Sequence, residues 1–444
     1  MTPTKPITPN KTAKGDGTAP YKRAADGMWC MSVDLPRRDD GKRRRKVVVA
    51  KTEGAVKLKM KEVQRQLLRD GDVVTANQTL ESWLNIWFRD IALKKVRPKT
   101  AATYRTMLNQ YIIPSIGKVR LDKLTPDHVR KLERFITEPQ GERKGLSSTT
   151  ANQAHRILAV ALKYAEREGR VTKNVAVLTD APPKAVNDLK VLSGADGVKV
   201  LLHAAQGQRL GSRWAAALLT GARQGEVIGL EIDRVTDRLD LSWQLQRLSW
   251  EHGCKPTGKF TTNRKAIYEC GKSRGTDCPT RKVTHPANWE HRYLTGGYWL
   301  SRPKSSAGWR IIPLVSPMHE ILERRLEIAA GEPNPFGLVW TADPKIHAGR
   351  ADNVLPLDGM PIDPAQDSRA WHDILAEAGV GDVRLHDARH TSASLLGKAN
   401  VPEADIMKIL GHNSYAVTRG YQNIDYEQMS RAMSALSGQL QLDA

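Results

Sequence analysis

A mainly helical fold divided among several domains is predicted by three features of the sequence. Residues 78–175 hold successive segments whose apolar side chains recur at a helical period. Ahead of them, two short strand-like runs flank a basic turn that carries an Asp-Gly hairpin signal, Asp40-Gly41. Beyond Leu192, helical segments lie on both sides of a strand-like stretch rich in Lys, Arg, Cys and His. A chain of 444 residues is also longer than one hydrophobic core usually serves.

Residues 1–25 are dominated by Pro, Thr, Lys and Gly without periodicity, and a disordered lead-in is expected there. Residues 26–72 read as a small sheet carried on a helix. Strands are expected at 28–35 and 46–50, and a charged helix at 53–69 with Ala55, Leu58, Val63, Leu67 and Leu68 along it. Arg37, Arg38, Arg43, Arg44 and Arg45 crowd the turn between the strands. Arginines presented in this way can enter a DNA groove, and a solvated basic loop is the competing reading.

Residues 76–178 read as an all-helical domain. Thr79 is the expected N-cap of a helix containing Leu80, Trp83, Leu84 and Trp87, and Arg97-Pro98-Lys99-Thr100 starts a second that Pro114 and Gly117 close. Thr125-Pro126-Asp127 and Ser147-Ser148-Thr149 open two more. Trp83, Trp87 and Tyr104 share the apolar stripe, which assigns them to a core rather than to stacking on bases. Residues 179–190, with Pro182 and Pro183, form a linker.

Residues 191–444 then read as a mixed α and β domain, mostly helical, with a basic Cys- and His-containing insertion at about 244–298. Trp299-Leu300 and residues 309–314 look like the two arms of a hairpin with Lys304 at its tip. Helices are expected at 318–330, 368–378, 391–399, 402–410 and 426–436.

The net charge of +21 favours a polyanionic partner, nucleic acid or an anionic membrane face. The N-terminus lacks an apolar signal core, and no apolar run is long enough to span a bilayer. Nucleic acid therefore takes precedence over membrane. Four cysteines in this length argue against a disulfide scaffold and suit a reducing cytoplasm.

Five sites carry the chemistry. Thr220-Gly221-Ala222-Arg223-Gln224-Gly225-Glu226 sets an arginine after a helix-ending glycine, with a carboxylate three residues on. Lys304 lies in a Ser/Gly-rich turn, and His386 and Arg389 are three apart, on one face if helical. His412 and Tyr421 follow in a polar stretch. Singly, each has a plain structural reading. Arg223 with Glu226 can be a helix-end ion pair, His386 a satisfied histidine, Lys304 a solvated turn residue and His412 a C-cap beside Gly411. Tyr415 and Tyr426 compete with Tyr421 as nucleophile.

Taken together, in this order, the set resembles the tyrosine recombinase family, the phage-integrase type of site-specific recombinase. The likeness rests on Thr-Gly-x-Arg-x-x-Glu at 220–226, His-x-x-Arg-His-Thr at 386–391, and Leu-Gly-His at 410–412 with Tyr421 nine residues beyond. The helical domain resembles that family's core-binding domain, and the basic hairpin with its helix is similar to the arm-type DNA-binding domain of larger integrases. The resemblance implies six catalytic residues: Arg223, Lys304, His386, Arg389, His412 and the nucleophile Tyr421. It also implies double-stranded DNA attachment sites as substrate, a homotetramer on DNA, accessory bending or directionality proteins, and a bacterial cytoplasmic setting on the nucleoid. Arg37, Arg38, Arg43, Arg44, Arg45 and Lys99 are the expected further DNA contacts.

The chemistry fits those roles. A phosphodiester resists attack because its anionic oxygens repel nucleophiles and because an alkoxide leaves poorly. Arg223 and Arg389 can each bring a planar, permanently charged fork to the non-bridging oxygens. Lys304 can protonate the departing 5′ oxygen if nearby cations lower its pKa. His386 can orient the phosphate or take the tyrosine proton, His412 can hydrogen-bond a phosphate oxygen, and Tyr421 can form a 3′-phosphotyrosyl ester. The scheme requires no cofactor. Two other readings stay open: a DNA-binding protein that keeps the fold without strand exchange, and a type IB topoisomerase.

The insertion holds His252, Cys254, Cys270, Cys278, His285 and His291, of which the three cysteines and His285 are the zinc candidates. Three cysteines with nearby histidines can bind a structural zinc, yet no pair has the tight C-x₂₋₄-C spacing. A basic DNA-facing insertion with free thiols is the alternative.

Overall fold

The computed structural model describes residues 17–36, 43–70, 78–142, 144–185, 190–206, 208–261, 266–344 and 355–411. By internal contacts the chain forms two compact units. One comprises residues 1–95 and 100–185, the other residues 96–99 and 186–444.

The first unit holds an antiparallel sheet of β1 (Tyr21–Lys22), β2 (Trp29–Leu35) and β3 (Arg44–Ala50), in that order. β1 lies within the stretch 1–25, expected to be a disordered lead-in; it is ordered by pairing with β2, Tyr21 opposite Cys30. β2 and β3 pair from Trp29 opposite Ala50 to Leu35 opposite Arg44. Helix α1 (Glu53–Asp70) covers the sheet: Met60 is buried in one cluster with Val33 and Leu35, and Val63 and Leu67 pack against it. Leu58 and Leu68, two of the apolar residues along this charged helix, are exposed. A narrow sheet accepts only one stripe of the helix, and these two fall off it.

The helical part follows. In α2 (Leu80–Trp87), Leu80, Trp83, Leu84 and Trp87 are buried at the i, i+3, i+4, i+7 spacing that makes one face. Thr79 caps it, its hydroxyl accepting from the Ser82 amide at 3.2 Å. Next come α3 (Pro98–Met107), a π turn at Leu108–Ile112 and α4 (Ile113–Ile116). The chain does turn at Gly117, but Pro114 sits inside the last helical stretch. The wider π turn just upstream accompanies the proline, whose ring and missing N–H disrupt a regular α-helical ladder. α5 (Pro126–Thr137) contributes Val129, Leu132 and Ile136, and α6 (Ser148–Arg167) contributes Ala151, Ala154, Leu158, Ala161 and Leu162. Trp83 is fully buried and donates its indole N–H to the Ala161 carbonyl at 3.1 Å. Trp87 stacks on Tyr104 at 5.7 Å. These rings are core, as their shared stripe predicts.

The second unit is built on α8 (Ser212–Thr220), buried nearly all round, which follows α7 (Gly194–Ala205). After the short α9 (Gln224–Val227) come strands β4 (Arg238–Asp240), β5 (Gln244–Arg247), β6 (Pro256–Phe260), β7 (Ala266–Tyr268), β8 (His291–Thr295), β9 (Tyr298–Ser301) and β10 (Ile311–Pro313). Helices α10 (Met318–Ala330), α11 (Pro364–Glu377), α12 (Leu385–Lys398) and α13 (Glu403–Leu410) complete the described part. Trp214 and Trp371 meet at 5.3 Å in the core, which also buries Trp340.

One expectation fails here. The arms around Lys304 do not pair with each other. β9 lies between β5 and β8, with Leu300 opposite Leu245, whereas β10 pairs with β4, Ile312 opposite Leu239. Each arm finds a better-matched apolar partner earlier in the chain, so Lys304 sits on a loop bridging two sheets. Helix boundaries also move: α12 begins six residues before the expected 391, and α11 four before 368.

Candidate active site

Helix α8 ends at Gly221 with φ +60, and a side chain there would come within 2.3 Å of Leu410 Cδ2. Glycine meets both demands, left-handed backbone and close approach. The turn delivers Arg223 to the start of α9. Its Nη1 donates to Glu226 Oε1 at 2.7 Å, its backbone N–H to Glu226 Oε2 at 2.8 Å, and its Nη2 to the Gly411 carbonyl at 3.1 Å. The neighbouring Gln224 is held by Asp367, 2.9 Å from its amide nitrogen, and Asp367 is itself paired with buried Arg213 at 2.8 Å.

Glu226 is buried and serves two arginines. Arg310 Nη2 donates to Oε2 at 2.8 Å, while Arg310 Nε donates to the Ile409 carbonyl at 2.6 Å. Burial alone would raise the Glu226 pKa, but the adjacent Arg310 and Arg223 guanidinium groups outweigh it and hold the carboxyl below its ordinary value. The anion thus fixes one partly exposed arginine against one buried arginine.

Arg389 lies in the opening turns of α12, only 2 % exposed. Its Nη1 donates to the Gly221 carbonyl at 2.8 Å and its Nη2 to the Leu410 carbonyl. Ser392 docks the same helix on α8 by donating to the Leu218 carbonyl at 2.7 Å. His386 is solvent-exposed one turn earlier, its ring 5.1 Å from that of His390 and nearly perpendicular to it. Partial desolvation, then the charge of Arg389, lowers the His386 pKa, so the imidazole is neutral near pH 7.

Lys304 is exposed on the loop between β9 and β10. That loop closes on the site through its 3₁₀ turn, Ser306–Gly308. A side chain added at Gly308 would lie 3.9 Å from Arg223 Nη1, and one at Gly411 only 2.6 Å from the Ala307 carbonyl oxygen. Arg97 holds the start of the loop, donating to the Arg302 and Pro303 carbonyls at 2.8 and 3.0 Å. Arg223, Arg389, Arg310 and the Lys304 loop therefore gather around residues 409–411, where the described chain ends. His412 and Tyr421 lie outside the described residues, as do Tyr415, Tyr426 and the expected helix at 426–436.

Arg310 and Arg97 were missed by reading the sequence. The signal for Arg310 was present: a lone charge inside the apolar run Trp309-Arg310-Ile311-Ile312. At the N-terminal sheet, Arg37 and Arg38 lie outside the described residues, while Arg43 and Arg45 both bond the Asp34 carboxylate, at 2.7 and 3.1 Å. Arg44 begins β3, and Lys99 is exposed in the first turn of α3. In the insertion Cys254, Cys270 and Cys278 come together with His252, not with His285. The His285 ring packs against His291 at 4.4 Å and Trp289 at 5.4 Å.

Residues 79–135 match the family model described as phage integrase, N-terminal SAM-like domain, and residues 289–428 match that of the phage integrase family. An integrase of Saccharopolyspora erythraea is 30% identical over 426 residues, spanning 93% of this chain and 94% of the relative. The chain belongs to the phage integrase family of tyrosine recombinases. Like its family, it is a site-specific recombinase, an enzyme of DNA strand cleavage and rejoining. A XerC-like tyrosine recombinase of Caldanaerobacter subterraneus subsp. tengcongensis is 22% identical over 424 residues, covering 94% of this chain and 97% of the relative. The integrase fold is seen again in the Tn1549 transposon integrase, solved in complex with transposon right end DNA. That structure has a TM-score of 0.57 and 18% identity, covering 81% of this chain and 99% of that one. Among the described residues, no helix is long and apolar enough to cross a membrane.

Proposed function

We propose that this recombinase cuts and rejoins double-stranded attachment sites of a phage or mobile element through a 3′-phosphotyrosyl intermediate, with Tyr421 as nucleophile. The observation that carries the reading is the convergence of Arg223 and Arg389 on the carbonyls of residues 410 and 411, directly ahead of His412. Two guanidinium groups held in one place before substrate arrives suit the two non-bridging oxygens of a phosphate, because preorganised charge need not be rearranged in the transition state.

In the forward step the Tyr421 phenol oxygen forms a bond to phosphorus and the bond from phosphorus to the 5′ oxygen breaks. Lys304 gives its proton to that leaving oxygen. Neutral His386 accepts the phenol proton or orients the phosphate, and His412 donates to a phosphate oxygen. The ester conserves the bond, so a 5′-hydroxyl from another strand reverses each step and joins new partners. All of these groups come from the protein.

Residues 26–72, together with β1, act as the arm-site reader, residues 76–178 as the core-site clamp and residues 191–444 as the catalytic domain, with the residues ahead of β1 as a lead-in and 179–190 as linker. Arg37, Arg38, Arg43, Arg44, Arg45 and Lys99 contact DNA in this arrangement. The active species is a homotetramer on the bacterial nucleoid, aided by accessory bending proteins. Solved integrase complexes with DNA, such as that of Tn1549, support the duplex as partner.

The test is incubation with a nicked attachment-site duplex, in which the short 5′-hydroxyl fragment diffuses away and traps the adduct. Wild type should yield a covalent protein–DNA species and Tyr421→Phe none. An adduct that persists in Tyr421→Phe would move the nucleophile to another residue. No adduct from wild type on its cognate site would favour a binding protein without strand exchange.

A further inference from the structure

The lobe between β5 and β8 has little core of its own: Leu248 and Trp289 are buried in one cluster with Trp299 of β9, with Trp250 and Val283 against them. Most of the described residues in 251–282 are exposed, and among the described residues the two strands within the lobe pair only with each other, Pro256 opposite Tyr268 and Phe260 opposite Ala266. So small a lobe needs a staple beyond apolar burial.

Four potential ligands stand where such a staple would be. His252 and Cys254 precede β6, Cys270 follows β7, and Cys278 follows the 3₁₀ turn Gly275–Asp277. One ligand atom from each lies within 4.8 Å of the other three. Cys254 Sγ is 3.7 Å from Cys278 Sγ, and Cys270 Sγ is 3.4 Å from His252 Nδ1.

Those spacings can be compared with what a metal requires. A tetrahedral zinc with Zn–S of about 2.3 Å and Zn–N of about 2.05 Å separates two sulfurs by about 3.8 Å, and a sulfur from a nitrogen by about 3.6 Å. Both observed spacings fall within a few tenths of an ångström of these. A disulfide would need sulfurs about 2.05 Å apart.

The backbone around the cluster is shaped to permit it. A side chain at Gly253, between His252 and Cys254, would fall 1.7 Å from the Thr280 carbonyl oxygen, and one at Gly275 would fall 2.1 Å from that of Trp250. Gly271, directly after Cys270, has φ +67. Glycine at these points lets three chain segments close on one centre. The His252 ring is held flat against Tyr268, 3.7 Å between centroids and 5° between planes. The Cys278 sulfur is approached by the Thr280 hydroxyl at 3.4 Å and by the amides of Gly253, Cys254 and Thr280.

We propose that His252, Cys254, Cys270 and Cys278 bind one structural zinc ion, which closes the lobe at 251–282. The site is of the closed Cys₃His kind: four protein ligands and no open position. The ion's work is to order a lobe that displays Lys255, Lys259, Lys272, Arg274, Arg281 and Lys282 on its surface.

The test is metal analysis of the full-length protein, purified without chelator from zinc-supplemented cells, with a cobalt-exchanged sample alongside. Zinc at about one equivalent per chain is expected, as are cobalt spectra with thiolate charge-transfer and tetrahedral d–d bands. Cys270→Ser should lose the metal and His285→Ala should keep it. Chelator should expose residues 251–282 to limited proteolysis and added zinc should restore protection. The proposal is overturned if wild type carries well under half an equivalent and gives no tetrahedral cobalt spectrum. It is equally overturned if Cys270→Ser retains zinc, or if intact-mass analysis finds Cys254 and Cys278 already joined. Because wild type alone supplies the stoichiometry and the spectrum, a variant that fails to fold does not blunt the result.

Discussion

Replacing Glu226 with glutamine tests how the site arginines are held. The carboxylate collects three donors on two oxygens: the Arg223 amide and Arg310 Nη2 on Oε2, and Arg223 Nη1 on Oε1. An amide accepts at one position and presents N–H groups at the other. With its oxygen at the Oε2 position, two bonds survive and the NH₂ faces Arg223 Nη1, donor against donor. One charge-assisted bond is worth about 1.5–3 kcal/mol, and a buried charge left wholly unpaired costs about 3–5 kcal/mol. Arg310, 5 % exposed at its side chain, keeps one bond to the amide but loses its counter-charge, so the cost should lie near 3 kcal/mol, about the overlap of those ranges. Arg223, 34 % exposed, loses its tether and samples other orientations. Removing one oriented donor from a transition state costs about 10²–10³ in rate, so a loosened one should cost about 10–100-fold. The assays are urea unfolding followed by tryptophan fluorescence, and single-turnover cleavage of the nicked site. DNA affinity in a gel shift should stay close to wild type. Cleavage within about twofold of wild type, despite lower stability, would refute the positioning argument and leave Glu226 a purely structural role.

Three further outcomes are expected. Gly221→Ala must take a left-handed backbone and meet Leu410 at 2.3 Å, so it should destabilise by at least about 1–2 kcal/mol and lower Tm. His390 has its pKa lowered from 6.5 to about 4, first by desolvation and then by His386. The unfolded chain therefore takes up the proton first: stability is full above about pH 6.5, falls by at most about 1.4 kcal/mol per pH unit as pH drops, and levels off below about 4. His390→Asn should flatten that limb in urea titrations, and an unchanged slope would assign it to other groups. Lys304→Ala should abolish cleavage of ordinary DNA but regain most of it when the 5′ leaving oxygen is replaced by sulfur, which departs without a proton. Failure of that substitution to restore cleavage would remove Lys304 as the acid.

The parts of the fold that were legible from sequence are those fixed by near neighbours. Leu80, Trp83, Leu84 and Trp87 announce their helix and its face, and Thr79 announces its start. His386 and Arg389 fall on one helix because three residues are one turn. What was lost depends on partners far along the chain. Nothing local says that Leu300 will face Leu245 while Ile312 faces Leu239, because each strand is equally suited to a hairpin. Arg310 was hidden because its counter-ion, Glu226, lies 84 residues earlier. Sequence spacing does not choose between the histidines of the lobe; only the fold brings His252, and not His285, to the three cysteines.

The bridging position of the Lys304 loop has a consequence for how this protein can change over time. A hairpin can lengthen or shorten at its tip while its two arms slide together. Here the arms belong to β5-β9-β8 on one side and β4-β10 on the other, so each end is pinned in its own register. Because both ends are pinned, a residue gained or lost between Ser301 and Ile311 must be absorbed by the loop itself, displacing the turn that approaches Arg223 at Gly308. A change of length there falls on the loop that carries Lys304. New sequence enters more safely through the lobe at 251–282, whose strands, among the described residues, pair only with each other.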